Sequence, residues 1–416
     1  MKSDIDSLMQ AHDLDALLVT GAAQHNPDMV YFTGIAHVTH ADLIKKRGQE
    51  PVLFHGSMER NEAAKSGLRT KNLGAYNYRD LLSQAGGDHT RARALRYQKA
   101  FSELGITSGR VTVSGMTDLG PAFAVFSELQ KLMPGLTITG EDDSVLLQAR
   151  ATKDEAEIEQ MRQIGRITTG VVSKTADFLS SMKAKDGVLA QADGQPVTIG
   201  EVKKQIDLWL AEAGAENPEG TIFAIGRDAG VPHSSGTASD ILRLGQTIVF
   251  DIFPCQAGGG YFHDITRTWC LGYAPDEVQA LYDDVLAVYR QMIAELKLNT
   301  PCPHYHERTC EMFEAKGHPT IRTDPQTERG YVHSLGHGLG LAVHEAPWAG
   351  LNQVKSGPPA RDILAPGVVW TVEPGLYYPE RGMGVRLESS VWMRPDGQPE
   401  ILGEYPLDLV LPVRSM

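Results

Sequence analysis

The sequence predicts two folded domains, a small α/β domain at the N-terminus and a larger α+β domain after it. The chain has 416 residues, and at about 150 residues per domain this length corresponds to two or three domains. Strand-like and helix-like segments alternate at first, whereas strand-like segments and glycine-rich turns dominate from Thr247 onward. The composition, 42% hydrophobic and 22% charged, is that of ordinary globular proteins. We therefore predict domains at residues 1–148 and 149–416.

The N-terminal domain is predicted from short β-branched runs that alternate with helical spacing. Residues 16–20, 51–55 and 110–114 are apolar runs bounded by Gly, Asp or Ser, which is typical of strands. Residues 120–133 carry apolar side chains at helical spacing and stop at Pro134. This pattern predicts helices that cover a sheet.

The second domain is predicted to begin with a helix near Lys153, capped by Thr152 and with acids in its first turn. Two further helices are predicted at 199–213, ended by Gly214, and at 276–297. Two polar segments rich in Gly, Pro, Lys and Asp are predicted to be surface insertions, 183–198 and 352–362.

Charge and cysteine content exclude several classes of protein. The chain has 39 Lys and Arg against 52 Asp and Glu, a net charge of −13, which argues against nucleic acid and anionic membrane as partners. No apolar stretch reaches the ~18 residues of a membrane span, and the first residues lack an apolar signal segment. The four cysteines form no CxxC pair. We expect a cytoplasmic protein.

Four acids stand in strand-like segments where buried strands are usually apolar. They are Asp251 and Glu373, which end their segments, and Asp264 and Glu388, which lie in the middle of theirs. A buried carboxylate without a partner costs several kcal/mol, on the order of 5, so any one of them alone would be an ordinary surface acid. Four such acids in the same half of the chain, beside a histidine cluster, indicate a site that binds cations.

The histidine cluster is the segment YVHSLGHGLGLAVHE, which contains His333, His337 and His344. The spacing of four resembles an HxxxH zinc helix, but three glycines at about 1 kcal/mol each make a helix poor. A strand or turn with close backbone approach is the better prediction. His263 is predicted to be an ordinary hydrogen-bonded residue, because strand alternation places it opposite Asp264.

Two Asp, two Glu and one His suit a pair of divalent ions that share bridging carboxylates. Oxygen-rich ligation with one imidazole favours Mn, Fe, Co or Zn over a thiolate metal. Other site classes are absent from the sequence, since it has no GxxxxGK[ST], no GxGxxG between a strand and a helix, and no GxSxG.

Taken together, these motifs resemble the M24 metallopeptidase family, which has the "pita-bread" fold. The resemblance rests on VFDIFPCQAGGGYFHDITRTW, HSLGHGLGLAVHE, TVEPGLYY and GVRLESSVW, and with VPHSSG it covers roughly residues 155–395. LDALLVTGAAQHNPDMVYFTGI is similar to the extra domain of the prolidase, aminopeptidase P and creatinase branch. The resemblance implies an α/β N-terminal domain and an α+β catalytic pita-bread domain.

The resemblance also implies a role for each matching residue. Asp251 would bind one metal, Asp264 and Glu388 would bridge two, and His337 and Glu373 would complete the second. His233, His333 and His344 would face the substrate. Arg386 would brace the site, and its place two residues from Glu388 on one strand face lets it orient that carboxylate. The cofactors would be two divalent ions, with Mn preferred and Co, Zn or Fe as alternatives.

The implied reaction is hydrolysis of Xaa-Pro bonds in small peptides by a hydroxide that bridges the two metals. His233 or His344 would stabilise the oxyanion, Glu373 would carry the proton, and Trp348 would help to line the proline pocket. Relatives are often homodimers, and we expect one here.

Alternatives remain open at this point. A metal-free C–N hydrolase like creatinase, a metal-dependent lyase acting on a small molecule and a non-catalytic binding protein all occur on this fold. Dipeptidase and aminopeptidase P specificity are also undecided, since Trp348 stands where some prolidases have an arginine that holds a dipeptide's carboxylate. Arg361, in the predicted insertion 352–362, is a candidate to hold the carboxylate in place of that arginine.

Overall fold

The computed structural model describes residues 4–140, 144–350 and 362–415. The chain divides into two compact units. Unit 1 runs to Arg150 and includes Ala257–Gly260, and unit 2 contains Ala151–Gln256 and the chain from Tyr261 onward. The predicted boundary at 148/149 falls inside the helix Val145–Ala151, and the sequence did not predict that 257–260 would group with unit 1.

The helices of unit 1 are Ile5–Ala11 (α1), Pro27–Thr33 (α2), Arg60–Ala64 (α3), Tyr78–Gln84 (α4), His89–Glu103 (α5), Leu119–Leu132 (α6) and Val145–Ala151 (α7). Its strands are Ala16–Gly21 (β1), Ala41–Lys46 (β2), Val52–His55 (β3), Arg69–Asn72 (β4), Gly109–Met116 (β5) and Leu136–Thr139 (β6).

These six strands form one sheet in the order β4-β3-β2-β1-β5-β6, in which β2 runs antiparallel to the other five. Alternate residues of β1 point to opposite faces of the sheet. Ala16 and Leu18 belong to a core cluster with α5 and α6, whereas Leu17 and Val19 belong to a cluster with α1 and α2. Both faces are therefore covered, as expected for a largely parallel sheet. The predicted α/β class of this domain is confirmed.

The helices of unit 2 are Glu155–Ser181 (α8), Ile199–Glu212 (α9), Asp276–Glu295 (α10) and Cys302–Glu314 (α11). Its strands in the first half are Lys183–Lys185 (β7), Val188–Ala190 (β8), Ala215–Glu216 (β9), Thr221–Ile225 (β10), Thr247–Ile252 (β11), Cys255–Gln256 (β12) and Ile265–Leu271 (β13). The remaining strands are His337–Gly338 (β14), Glu345–Trp348 (β15), Val369–Val372 (β16), Gly375–Tyr378 (β17), Met383–Arg386 (β18), Ser389–Met393 (β19), Pro399–Ile401 (β20), Val410–Leu411 (β21) and Arg414–Ser415 (β22).

Two larger sheets organise unit 2. One has the order β10-β11-β13-β21 and packs against α8 and α9 through a core that contains Ile164, Val202 and Phe250. The other has the order β15-β14-β16-β19-β20, and it packs with the hairpin β17-β18 against α10 and α11. The backbone N–H of Glu388 donates to the carbonyl of Thr266, which ties the second group of strands to β13. This junction positions the acidic residues described below.

Several sequence-based predictions for unit 2 need correction. The cap of α8 is Asp154 in a reciprocal capping box with Glu157, and Thr152 instead makes an isolated backbone bridge with Val368. Helix α11 was not predicted, because its first turn, CPHYH, lacks a polar cap and the usual acids. Segment 183–198 is not simply a surface insertion, since it forms β7 and β8 and buries Leu189.

Most of segment 352–362, including Arg361, lies outside the described residues. Within the residues that are described, no helix is both long enough and apolar enough to cross a membrane.

Candidate active site

The four acids lie at or near strand ends, where the two larger sheets of unit 2 approach one another. Asp251 is on β11, opposite Thr266 of β13 in the strand register. The other three differ from their predicted mid-strand or strand-terminal positions. Asp264 immediately precedes β13, Glu373 follows β16, and Glu388 lies in the break between β18 and β19. The break occurs because β18 and β19 belong to different sheets.

Asp264, His337 and Glu388 form a buried cluster that has the geometry of a metal site. One ligand atom from each of the three lies within 4.8 Å of the others. His337 Nε2 is 3.8 Å from Asp264 Oδ2 and 3.4 Å from Glu373 Oε1. The structure therefore brings four of the five predicted metal ligands together around the His337 ring.

The protonation of His337 fits a metal ligand. Its Nδ1 lies 3.0 Å from the carbonyl oxygen of Gly338, which can only accept, so Nδ1 carries the proton. Burial lowers the pKa of His337 to about 3, and the ring is neutral at pH 7. The lone pair of Nε2 thus faces two carboxylates, an arrangement that is repulsive unless a cation lies between them.

Carboxylate oxygens without hydrogen-bond partners also indicate a metal centre. Asp251 Oδ1, Asp264 Oδ1 and Glu388 Oε1 are buried and have no hydrogen-bond partner within the described part of the chain. Burial, reinforced by the neighbouring carboxylates, raises the pKa of Asp264 and of Glu373 well above the usual range and that of Glu388 to about 8. Divalent cations would satisfy these oxygens and offset the repulsion, so the residues present fit a metal centre.

Arg386 braces this centre, but through a different acid from the one predicted. The sequence placed it beside Glu388, whereas its Nη2 donates to Asp251 Oδ2 at 2.7 Å. Its Nε donates to Thr266 Oγ1 at 3.1 Å, and that hydroxyl donates to Glu388 Oε2 at 2.7 Å. Arg386 therefore orients Asp251 directly and Glu388 through Thr266.

Tyr377 links the arginine to one of the predicted substrate histidines, and it was not identified from the sequence. Its hydroxyl accepts from Arg386 Nη1 at 2.8 Å and donates to His333 Nε2 at 2.8 Å. The direction follows because His333 Nδ1 donates to the carbonyl of Ser334 at 2.7 Å, and burial lowers the pKa of His333 to about 3. The sequence places Tyr377 on a strand-like segment just after Glu373, which indicates that it lies near the site. The spacing of residues does not reveal which partners its hydroxyl contacts.

Glycines allow the histidine segment to lie between its neighbouring strands. A Cβ on Gly336 would stand 1.9 Å from the carbonyl oxygen of Thr371, and one on Gly338 would stand 2.0 Å from that of Ala346. These contacts confirm the predicted close backbone approach; within GHGLG, His337–Gly338 form a strand and no residue is helical. They also place His337, between the two glycines, against the acids.

The centre opens into a cavity of about 700 Å³ within unit 2. All predicted site residues line it: Asp251, Asp264, His337, Glu373, Glu388, His233, His333, His344, Trp348 and Arg386. His233 and His344 are exposed at its wall, and the His344 ring lies 4.4 Å from the His337 ring between centroids. Phe253, which the sequence analysis did not single out, adds an aromatic surface to the same wall.

His263 and the cysteines take the structural roles predicted for them. The His263 ring is buried, and its Nε2 lies 2.5 Å from the carbonyl oxygen of Leu402. Cys255, Cys270, Cys302 and Cys310 are all buried.

Comparison with known proteins identifies the family. The model of the metallopeptidase family M24 matches residues 159–395, which is more than half of the chain. The chain belongs to metallopeptidase family M24. This family is metal-dependent. The matched region contains Asp251, Asp264, His337, Glu373 and Glu388, which we call the acidic cluster.

Relatives of this M24 protein include YkvY of Bacillus subtilis, which carries the provisional name of a dipeptidase and is 30% identical over 65% of each chain. An uncharacterized peptidase of Staphylococcus epidermidis is 27% identical over 97% of this chain and 98% of its own.

Solved structures with the same fold cover almost the whole chain. An X-Pro aminopeptidase of Thermotoga maritima matches with a TM-score of 0.72 at 24% identity, over 96% of this chain and 97% of that one. An Xaa-Pro dipeptidase of Bacillus anthracis matches with a TM-score of 0.72 at 22% identity over 98% of both. These matches confirm the predicted pita-bread fold with its preceding α/β domain.

Proposed function

We propose that this M24 peptidase hydrolyses Xaa-Pro bonds at the N-terminus of small peptides with the help of two divalent cations. The observation that carries the proposal is the set of buried carboxylate oxygens without partners, grouped with a neutral histidine at the base of a peptide-sized cavity. The names of the Thermotoga maritima and Bacillus anthracis proteins support the choice of Xaa-Pro bonds.

The cations would be held by Asp251, Asp264, His337, Glu373 and Glu388. Four carboxylates and one imidazole form an oxygen-rich ligand set, which favours Mn and accepts Co, Zn or Fe. Bound there, the cations would supply the Lewis acidity that activates water and polarises a carbonyl oxygen. Arg386 would orient Asp251, because its Nη2 donates a hydrogen bond to that carboxylate.

Proton transfer is assigned to Glu373. Its carboxylate lies beside the His337 ring, and a carboxylate in that place can accept a proton and release it again. Glu373 would take a proton from the attacking water and deliver it to the leaving nitrogen. His233 and His344 stand exposed on the cavity wall and would donate hydrogen bonds to the oxyanion that forms on the carbonyl.

A proline nitrogen explains the need for a shaped pocket. The bond before proline is a tertiary amide without an N–H, so recognition relies on contacts with the ring. Trp348 and Phe253 supply apolar surface on the cavity wall. His333 stands beside them with its Nδ1 and Nε2 already hydrogen-bonded, so it presents a neutral ring rather than a charge.

The ligand assignment is tested with Asp264→Asn. Removing one bridging carboxylate should lower the metal content of the purified protein below one ion per chain and lower kcat by at least about 100-fold. The matched control is Asp396→Asn, an exposed acid paired with Arg394, which should keep both metal and activity. Full activity and two ions per chain in Asp264→Asn would refute the assignment.

Substrate class is tested with three peptides assayed side by side in Mn and in Zn: an Xaa-Pro dipeptide, an Xaa-Pro-Yaa tripeptide and a tripeptide without proline. If only the Xaa-Pro-Yaa tripeptide is cleaved, the specificity is that of aminopeptidase P. If only the Xaa-Pro dipeptide is cleaved, the specificity is that of prolidase. Equal cleavage of the proline-free tripeptide, or no cleavage of any peptide by metal-loaded protein, would contradict the proposal.

A further inference from the structure

Unit 1 contains a second cavity, of about 470 Å³, at the carboxyl end of the parallel strands β1 and β5. Thr20, near the end of β1, and Thr117, which follows β5, line it. After β1 the chain continues to β2 on one side of the sheet, and after β5 it continues to β6 on the other. In open α/β sheets such a reversal of strand order creates the crevice in which ligands bind.

One wall of this cavity is cationic. Arg93 and Arg96 extend from α5, and His40 precedes β2. Arg93 is exposed and has no ion pair among the described residues. Arg96 is largely buried, with 18% of its side chain exposed, and its Nε is buried without an acceptor in the described part of the chain. The Arg93 guanidinium therefore offers N–H groups that no described residue accepts.

A buried acid holds this wall in place. Asp42 is 2% exposed and accepts hydrogen bonds at 2.7 Å from Thr20 Oγ1 and from Tyr97 OH. Its other oxygen lies 3.4 Å from Arg96 Nη2, a long contact that leaves the rest of the guanidinium available. Arg96 is thus oriented by a rigid network rather than by solvent.

The charges and surfaces around the cavity define the class of ligand. The charge of Arg96 is offset by Asp42, and Asp118 adds a negative charge to the cavity lining, so a ligand with two negative charges is disfavoured. A planar guanidinium suits a carboxylate, because two of its N–H groups can donate to both oxygens. Val125 and Phe126 of α6 give the cavity an apolar side that fits an apolar substituent.

We propose that this cavity binds a small monocarboxylate with an apolar substituent, held by Arg93 and Arg96 on the polar side and by α6 on the apolar side. The site is separate from the acidic cluster and does not depend on the proposed peptidase reaction. Its volume exceeds that of a bare inorganic ion and accommodates a ligand with an aromatic ring.

The test is calorimetric titration of the full metal-loaded chain with phenylacetate. Arg93→Gln should raise the dissociation constant about tenfold, the loss expected for one charge-assisted hydrogen bond. His40→Gln, a second variant, should raise it about threefold. The matched control is Arg91→Gln on the same helix, whose side chain pairs with Glu128 and does not line the cavity. It should leave the dissociation constant unchanged.

Two further ligands separate the parts of the proposal. Benzyl alcohol, which lacks the carboxylate, and phenyl phosphate, which carries more negative charge, should both bind more weakly than phenylacetate. Affinity that is equal in wild type and Arg93→Gln would overturn the site, because binding to the acidic cluster would behave in that way. Equal or tighter binding of benzyl alcohol or phenyl phosphate would overturn the ligand class.

Discussion

The hydroxyl of Tyr377 joins two parts of the active site that are otherwise separate. It donates to His333 on the substrate side and accepts from Arg386, which in turn holds Asp251. The direction of each hydrogen bond is fixed. The Arg386 guanidinium can only donate, and His333 Nε2 can only accept because its neutral ring carries its proton on Nδ1. The position of Asp251, a proposed metal ligand, is therefore coupled to that of His333, which we propose faces the substrate.

Tyr377→Phe tests this coupling. Loss of the hydroxyl leaves Arg386 Nη1 and His333 Nε2 without one partner each, and we expect kcat/KM to fall about 10- to 100-fold. The control is Tyr378→Phe, since the hydroxyl of Tyr378 pairs with His318 and not with the centre. Activity that is equal in the two variants would show that the hydroxyl does not position the site.

A buried histidine outside the site gives unit 2 a pH-dependent stability. Burial lowers the pKa of His306 from 6.5 to about 4, while its Nδ1 lies 3.2 Å from the Tyr331 hydroxyl. In the unfolded chain the ring takes up a proton as the pH falls through 6.5, whereas in the folded chain it stays neutral until about 4. Stability is thus lost as the pH falls from 6.5 towards 4.

His306→Gln should remove about 2 kcal/mol of the difference in unfolding free energy between pH 7 and pH 5. The measurement is urea unfolding followed by tryptophan fluorescence, which reports on unit 2 because all five tryptophans lie after residue 200. His304→Gln, an exposed position on the same helix, serves as the control and should keep the wild-type dependence. An unchanged pH dependence in His306→Gln would show that this ring is not responsible.

Sequence identified the chemical types at the site better than their partners. The acids and histidines were recognisable, because carboxylates in strand-like segments are costly without a cation. The partner of Arg386 was mistaken, since β18 and β19 look like one strand in sequence but join different sheets. Tyr377 was missed because the partners of its hydroxyl, His333 and Arg386, lie on other segments of the chain.

At the scale of elements, a buried ion pair fixes the entry to α8 beside the histidine segment. Lys153 Nζ donates to Glu345 Oε1 at 2.8 Å, and each side chain is 1% exposed. Glu345 begins β15 and follows His344 directly. The pair explains why α8 starts at Glu155 with Asp154 as its cap, since the residues before it are held against other strands.

Lys153→Met should destabilise unit 2 by about 3 to 5 kcal/mol, because it removes a buried charge with which Glu345 is paired. The double variant Lys153→Met with Glu345→Leu should recover most of this loss, since two apolar side chains need no partners. Arg394→Gln breaks an exposed pair and should leave the urea midpoint unchanged. A double variant as unstable as Lys153→Met would contradict this account.

For the whole molecule, the acidic cluster concentrates part of the net charge of −13 at one buried point. Asp264, Glu373 and Glu388 hold protons more strongly than usual in the metal-free protein, since burial raises their pKa values, that of Glu388 to about 8. Protons and cations therefore compete for the same oxygens, and cation binding must release protons.

Two results should follow for metal removal. Chelation should lower the thermal midpoint of the tryptophan signal, because bound ligand stabilises the fold by about 2.7 kcal/mol at 100 times its dissociation constant. The affinity for Mn should rise about tenfold or more between pH 6 and pH 8, measured by calorimetry, since Glu388 loses its proton in that interval. An affinity that is constant across this interval would refute the competition, and Asp396→Asn should behave as wild type.

The close backbone approach at Gly336 and Gly338 also has a practical consequence for protein engineering. Neither position has space for one additional carbon, so variants there would displace His337 rather than alter substrate preference. A library designed to change the preferred peptide should keep both glycines and diversify Trp348 and Phe253. Those two side chains line the cavity without belonging to the acidic cluster.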